Sequence, residues 1–278
     1  MERIDLAVVR TKDNVHLYLK EWGEGSPVIL LHGWPLSADT FDDLGIALAE
    51  SGYRGIAYDR RGFGRSEQPP RGYEYDTLAD DLASVVQYAG SSAALVGFSM
   101  GGGEVARYMS RHRGANVTKA VLAASVVPYL IKTDDNPDGV EPTVFQDMAR
   151  KLKEDRAAFW PAFFQDFYGL GVLSQPVSDE IVDWSCALAM QAGLLATLQC
   201  AKAFATTDFR GDLAAFTVPT LILHGTEDKT VPIATSARKA AAGIRDSNLV
   251  EYEGSPHGLF ASDKERFIDD VVGFLRGR

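Results

Sequence analysis

Ala93-Ala94-Leu95-Val96-Gly97-Phe98-Ser99-Met100-Gly101-Gly102-Gly103 is the stretch that decides the fold. Its apolar beginning has the composition of a buried strand, and the spacing from Gly102 to Arg113 predicts a helix. A serine therefore sits on a sharp strand-to-helix turn, the nucleophile elbow pattern. Such a turn strains the serine's backbone and presses strand and helix together. Side chains two positions to either side would collide, so Gly97 and Gly101 have a physical reason to be glycine.

Working outward, the same strand-then-helix alternation surrounds the elbow. Residues 4 to 9 and 15 to 20, parted by Thr11-Lys12-Asp13-Asn14, predict an opening hairpin. Val28-Ile29-Leu30-Leu31 is a continuous apolar run, as a strand buried on both faces would be, and it ends in His32-Gly33-Trp34-Pro35. A helix is expected from about Asp39, a strand over Tyr53 to Tyr58, and a helix over Tyr75 to Tyr88. After the elbow come a strand from Lys119 to Ala124, then Thr220 to Leu223, a helix over Ala234 to Ile244, the strand Leu249 to Tyr252 and a closing helix from Lys264 to Leu275. Alternation of this kind predicts an α/β fold with a mostly parallel sheet covered on both faces. Between Val126 and Leu213 it stops, and the segment reads as several helices. The expected organisation is a core of residues 1–125 and 214–278 carrying a helical cap at 126–213.

The composition is that of an ordinary globular protein, 46% hydrophobic and 24% charged over 278 residues. A net charge of -10 and a pI near 5.0 argue against nucleic acid or an anionic membrane as partner. Met1-Glu2-Arg3-Ile4-Asp5 carries no basic region leading into an apolar run, and no eighteen-residue apolar stretch occurs, which reads as a cytoplasmic protein. Cys186 and Cys200, without partners at ligand spacing, read as packed thiols and not as a disulfide or metal site.

A serine hydroxyl needs a base within hydrogen-bond reach and a third group to hold that base's tautomer. Of five histidines, His16 and His112 fall far from the elbow. His32 and His224 each end a buried strand, where a histidine holding loop backbone is the ordinary reading. His257, in Ser255-Pro256-His257-Gly258, lies in a loop that can reach the carboxyl edge of the sheet and has no evident structural duty there. Asp228 fits the orienting acid, on the loop that leaves the strand 220–223; Glu227 is its rival. Donors for an oxyanion are expected from the backbone N–H groups of Met100 and Trp34, but not from Pro35, which has none. Positions 145 to 168 crowd seven aromatic residues together, among them Phe145, Trp160 and Phe163, which together with Pro35 are candidates for lining a substrate pocket; the alternative is that they fill the cap's own core.

With these residues in order, the chain resembles the α/β-hydrolases, and within them the cofactor-free (non-heme) haloperoxidase and aryl esterase branch, also described as serine perhydrolases. The resemblance rests on His32-Gly33-Trp34-Pro35-Leu36, Tyr58-Asp59-Arg60-Arg61-Gly62-Phe63-Gly64-Arg65-Ser66, Gly97 to Gly103, Thr206 with Asp208-Phe209-Arg210, and Pro256-His257-Gly258. It implies an eight-stranded, mostly parallel sheet and a serine carboxylesterase in which Ser99, activated by His257 and Asp228, forms an acyl-enzyme. Water then releases an acid, or hydrogen peroxide releases a peracid that oxidises bromide or chloride with no metal or organic cofactor. Haloalkane dehalogenases and epoxide hydrolases share the fold but use an aspartate where Ser99 stands. The partners implied are a small-molecule ester and water or peroxide; a homo-oligomer is left open. A lactonase or γ-lactamase needs the same three residues, and a hydrolase-like ligand-binding receptor is a further alternative from another class.

Within that resemblance Pro35 fixes the chain after Trp34 and so sets where the Trp34 carbonyl lies, an acceptor for incoming peroxide. Pro35→Leu is therefore expected to lower the ratio of perhydrolysis to hydrolysis, measured as peracid against free acid from one ester; an unchanged ratio refutes it.

Overall fold

The computed structural model describes residues 7–171 and 174–277, so residues 4–6 of the expected first strand lie outside it. In chain order the elements are β1 (Val8–Arg10), β2 (His16–Trp22), β3 (Ser26–Leu31), α1 (Asp42–Glu50), β4 (Tyr53–Tyr58), α2 (Tyr75–Ala89), β5 (Ala93–Phe98), α3 (Met100–Arg111), β6 (Val117–Ala123), α4 (Pro142–Phe167), α5 (Asp179–Gln191), α6 (Leu194–Thr206), β7 (Thr220–Gly225), α7 (Ala237–Gly243), β8 (Ser247–Tyr252), α8 (Leu259–Ser262) and α9 (Lys264–Leu275). Among the described residues the strands form one eight-stranded sheet in the order β1-β2-β4-β3-β5-β6-β7-β8. Only β1–β2 and β2–β4 pair antiparallel; the pairs from β4 through β3, β5, β6 and β7 to β8 are parallel. Every residue of β5 and β7 is buried, which is why Ala93 to Val96 and Leu221 to Leu223 read as apolar runs.

Two expected helices begin late. The helix expected from Asp39 opens as a single 3-10 turn, Ala38–Phe41, before α1. The one expected from Ala234 starts at Ala237, because the Thr235 and Ser236 hydroxyls turn back to donate to the Pro232 carbonyl at 3.0 and 2.8 Å, a local alternative to helical pairing. The short α8 has only four residues, too few for periodicity to reveal.

Between β6 and β7 stand α4, α5, α6 and a 3-10 segment, Arg210–Ala215. Helix α4 is two helical pieces: Asp155 breaks it with φ −157° and ψ 91°, and its carboxylate accepts the Ala158 N–H at 3.0 Å, as an N-cap does. No single helix among the described residues is long and apolar enough to cross a membrane. These helices are tied to the sheet through Trp34, whose indole packs edge-on against Trp160, Phe163 and Phe204 at centroid distances of 5.2, 5.4 and 5.4 Å and donates Nε1–H to the Thr197 carbonyl of α6 at 3.0 Å.

Beneath the site lies a buried polar network. The Arg60 guanidinium is paired with Glu104 of α3, Nε–H donating to Oε1 at 2.6 Å, and another N–H donates to the His32 carbonyl at 2.5 Å. The Tyr58 hydroxyl donates to the other Glu104 oxygen at 2.7 Å. Both charges are buried, so removing one leaves the other uncompensated. Glu104→Gln is expected to lower unfolding stability by about 3–5 kcal/mol, whereas Tyr58→Phe should cost only about 1 kcal/mol. Urea unfolding measures both, and equal losses would contradict the charge argument.

Candidate active site

At the elbow Ser99 adopts φ 54° and ψ −117°, a conformation L-residues rarely take. The close approach is visible in the glycines: a Cβ on Gly97 would lie 2.6 Å from the Gly101 carbonyl oxygen, and one on Gly101 would lie 2.2 Å from that of Leu31. The Ser99 N–H donates to the Ala123 carbonyl of β6 at 2.8 Å, and its carbonyl accepts from the Gly102 N–H at 3.0 Å. The backbone is thus held on both sides while the hydroxyl projects from the sheet.

His257 arrives from the loop after β8. That loop crosses the end of β7 so closely that a Cβ on Gly225 would meet the Ser255 carbonyl oxygen at 2.2 Å. The Gly258 N–H donates to Phe167 of α4 at 3.0 Å, and the imidazole packs against the rings of Phe98 and Phe167, 5.3 and 4.8 Å away. Its Nε2 stands 2.9 Å from Ser99 Oγ and its Nδ1 2.6 Å from Asp228 Oδ2. The His257 and Asp228 side chains are completely buried. Since the carboxylate can only accept, Nδ1 carries the proton and Nε2 is free to accept from the serine. Asp228 Oδ1 accepts the N–H groups of Thr230 and Val231 at 2.9 and 2.7 Å. Burial would push the Asp228 carboxyl up, but the charge of His257 and hydrogen bonds from His224 and His257 outweigh it and hold the pKa well below the ordinary range. The rival Glu227 is exposed.

Met100 opens α3, so its N–H has no intrahelical partner. The Trp34 N–H donates to no backbone acceptor among the described residues. His32 ties the loop bearing Trp34 to the segment after β4: its Nε2 accepts the Arg60 N–H at 3.0 Å and its Nδ1–H donates to the Gly33 carbonyl at 2.9 Å. Burial first, then the Arg60 charge, keep this histidine's pKa well below its ordinary value, so it is neutral. His16 and His112 lie apart, paired with Glu67 and Asp80 at 3.1 and 2.8 Å.

Ser99 opens onto a cleft of about 710 Å³ whose wall includes Trp34, Val126, Val144, Met148, Phe159, Phe163, Phe204 and Val231. Asp147, Lys151, Glu154, Asp155, Asp166 and Lys229, all exposed, also line it. Of the four pocket candidates, Phe163 lines this cleft; Pro35, Phe145 and Trp160 do not. Trp160 is wholly buried against Trp34, and Phe145 leans on Phe204. Pro35 is buried after a cis Trp34–Pro35 bond. Phe204, Val126 and Val231 go unsuspected in the sequence. Phe204 ends the buried stripe Ala196, Cys200, Phe204 of α6, whose four-residue period marks the face turned to the core but not which member meets a cavity. Both cysteines are free, and no cluster of potential metal ligands occurs among the described residues.

The profile of the alpha/beta hydrolase fold family matches residues 26–264. A non-heme chloroperoxidase of Kitasatospora aureofaciens is 40% identical over 97% of this chain and 99% of its own. A bifunctional esterase/perhydrolase of Acinetobacter calcoaceticus is also 40% identical, over 98% of this chain and all (100%) of its own. The crystal structure of bromoperoxidase from Bacillus anthracis superposes with a TM-score of 0.94 at 40% identity, covering 98% of this chain and 100% of that one. With this fold, this sheet order and relatives matched from end to end, the chain belongs to the α/β-hydrolase family, in its branch of non-heme haloperoxidases and esterase/perhydrolases.

Proposed function

We propose that the protein is a serine carboxylesterase, acting on small or aryl esters through an acyl-enzyme, with perhydrolase activity when hydrogen peroxide replaces water. The observation that carries this reading is the hydrogen-bonded chain from Ser99 Oγ through His257 to Asp228, at 2.9 and 2.6 Å, opening onto an apolar cleft. The names of the relatives support both halves of the reading, esterase and haloperoxidase.

Ser99 Oγ attacks the ester carbonyl while His257 Nε2 takes its proton. Asp228 keeps the imidazole in the tautomer that can accept and stabilises the imidazolium. The oxyanion is received by the N–H groups of Trp34 and Met100, both without backbone acceptors of their own. His257 returns the proton to the departing alcohol, leaving an acyl group on Ser99. Water, deprotonated by His257, attacks this ester and an acid leaves; peroxide in the same place gives a peracid. The peracid is itself the oxidant for halide, so this sequence requires no cofactor. In this reading residues 126–213 form the cap, Phe163, Phe204 and Val126 hold the apolar part of the ester, and the protein works in the cytoplasm.

The experiment is hydrolysis of p-nitrophenyl acetate, followed by a panel of aryl esters and lactones with and without peroxide. Ser99→Ala and His257→Ala are each expected to lower kcat by about 10³-fold or more, with tryptophan fluorescence and melting temperature little changed. Substantial turnover by Ser99→Ala would overturn the mechanism. Preference for lactones over open esters would overturn the substrate class.

A further inference from the structure

We propose that His224, which the reaction above does not use, is a positioning residue for Asp228. The inference rests on the reading of Ser99, His257 and Asp228 as the reacting chain. His224 stands at the end of β7, four residues before Asp228, with its imidazole completely buried. Its Nε2 lies 2.8 Å from the Val231 carbonyl oxygen and 3.1 Å from Asp228 Oδ2. A carbonyl oxygen can only accept, so Nε2 must carry a proton. That one N–H is shared between the two oxygens, and the tautomer follows from its partners.

The consequence is a closed turn. Asp228 Oδ1 takes the Thr230 and Val231 amides, and Oδ2 takes His257 on one side and His224 on the other. Val231 donates its N–H to the carboxylate and lends its carbonyl to His224, so the ring pins both ends of the loop that carries the acid. Each carboxylate oxygen is thus held by two donors, amides on Oδ1 and imidazoles on Oδ2. A simple backbone tie would not need a second imidazole. The ring's Nδ1 has no hydrogen-bond partner among the described residues, so Nε2–H is the ring's one hydrogen-bonding group and both of its acceptors belong to the 228–231 turn.

The shared N–H also draws negative charge from Oδ2 that would otherwise stabilise protonated His257. The titratable groups facing His224 are Asp228 and His257 on the loops and Glu251 on β8, its register partner, which Arg238 of α7 holds at 2.8 Å. On the β6 side the neighbours are Ala123 and Ala124, which do not titrate. Removing the N–H therefore leaves more charge facing His257 and raises its basicity.

The test compares His224→Leu, which has no donor, with His224→Gln, whose amide nitrogen falls near the place of Nε2. Both are assayed for kcat, KM, the pH profile of kcat/KM and melting temperature. Expected for the leucine variant is a kcat about 10–100-fold lower with KM nearly unchanged. Its acid limb moves to higher pH, and the glutamine variant recovers most of the loss. If the leucine variant does not fold, His224→Asn, whose amide is too short to reach Asp228, takes its place. Wild-type kcat and acid limb in the donorless variant overturn the proposal. So does equal loss in both variants with an unmoved acid limb, which would mark His224 as structural. Ser99→Ala assayed alongside separates the two levels: activity there sinks the serine mechanism, whereas its loss together with an indifferent His224 sinks only this inference.

Discussion

A serine at φ 54° and ψ −117° persists because the backbone around it has no room to relax. Ser99 is clamped by amide and carbonyl to β6 and α3, and the missing Cβ atoms of Gly97 and Gly101 let β5, α3 and the end of β3 approach to contact. The strain is offset elsewhere, by the packed sheet on one side and the buried Arg60–Glu104 network on the other. Because Glu104 belongs to α3 and Arg60 grips the His32 carbonyl, the helix bearing the serine and the loop bearing Trp34 are locked in one frame. The proposed oxyanion donors and the proposed nucleophile thus share a single rigid reference.

The proposed base and its acid are held by a different device. His257 and Asp228 sit on loops, but each loop is stitched at several points: Gly258 to Phe167, Glu227 to Ser255, and the Asp228 carboxylate to two amides. Loops fixed in this way combine the precise placement of a strand end with side chains that the regular sheet could not aim across itself.

Much of this is legible in the sequence, for identifiable reasons. The sheet strands betray themselves because the centres of β3, β5 and β7 are buried on both faces and are apolar there. The elbow is legible because backbone collision permits little but glycine at 97 and 101. Polar residues without structural duty stand out in loops, which is how His257 and Asp228 can be singled out. The cleft wall is not legible in the same way. Trp160 and Phe163 are three residues apart on one helix and chemically alike, yet one is buried in the join and the other faces the cavity. Which face turns where depends on how α4 and α6 lean on Trp34, a tertiary fact with no signature in spacing. The break at Asp155 is equally silent, since an aspartate inside a helical run also reads as a solvated position. His224 is misleading for a related reason: a histidine at a strand end is read as a loop anchor, and its second acceptor appears only once the 228–231 turn is folded.

Trp34 has two sides with opposite obligations. Its indole is the post against which Trp160, Phe163 and Phe204 assemble and from which α6 hangs by one hydrogen bond, while its backbone belongs to the loop facing Ser99. The helices over the cleft are therefore not free to vary as a decoration on a constant engine. A change in α4 or α6 that shifts the indole also shifts the peptide proposed to receive the oxyanion, so on that proposal new substrate shapes and the strength of catalysis cannot be adjusted independently through residues touching Trp34. Variation in substrate choice is channelled toward wall positions clear of it, such as Val144 and Met148, where the cleft can be recut without disturbing the frame.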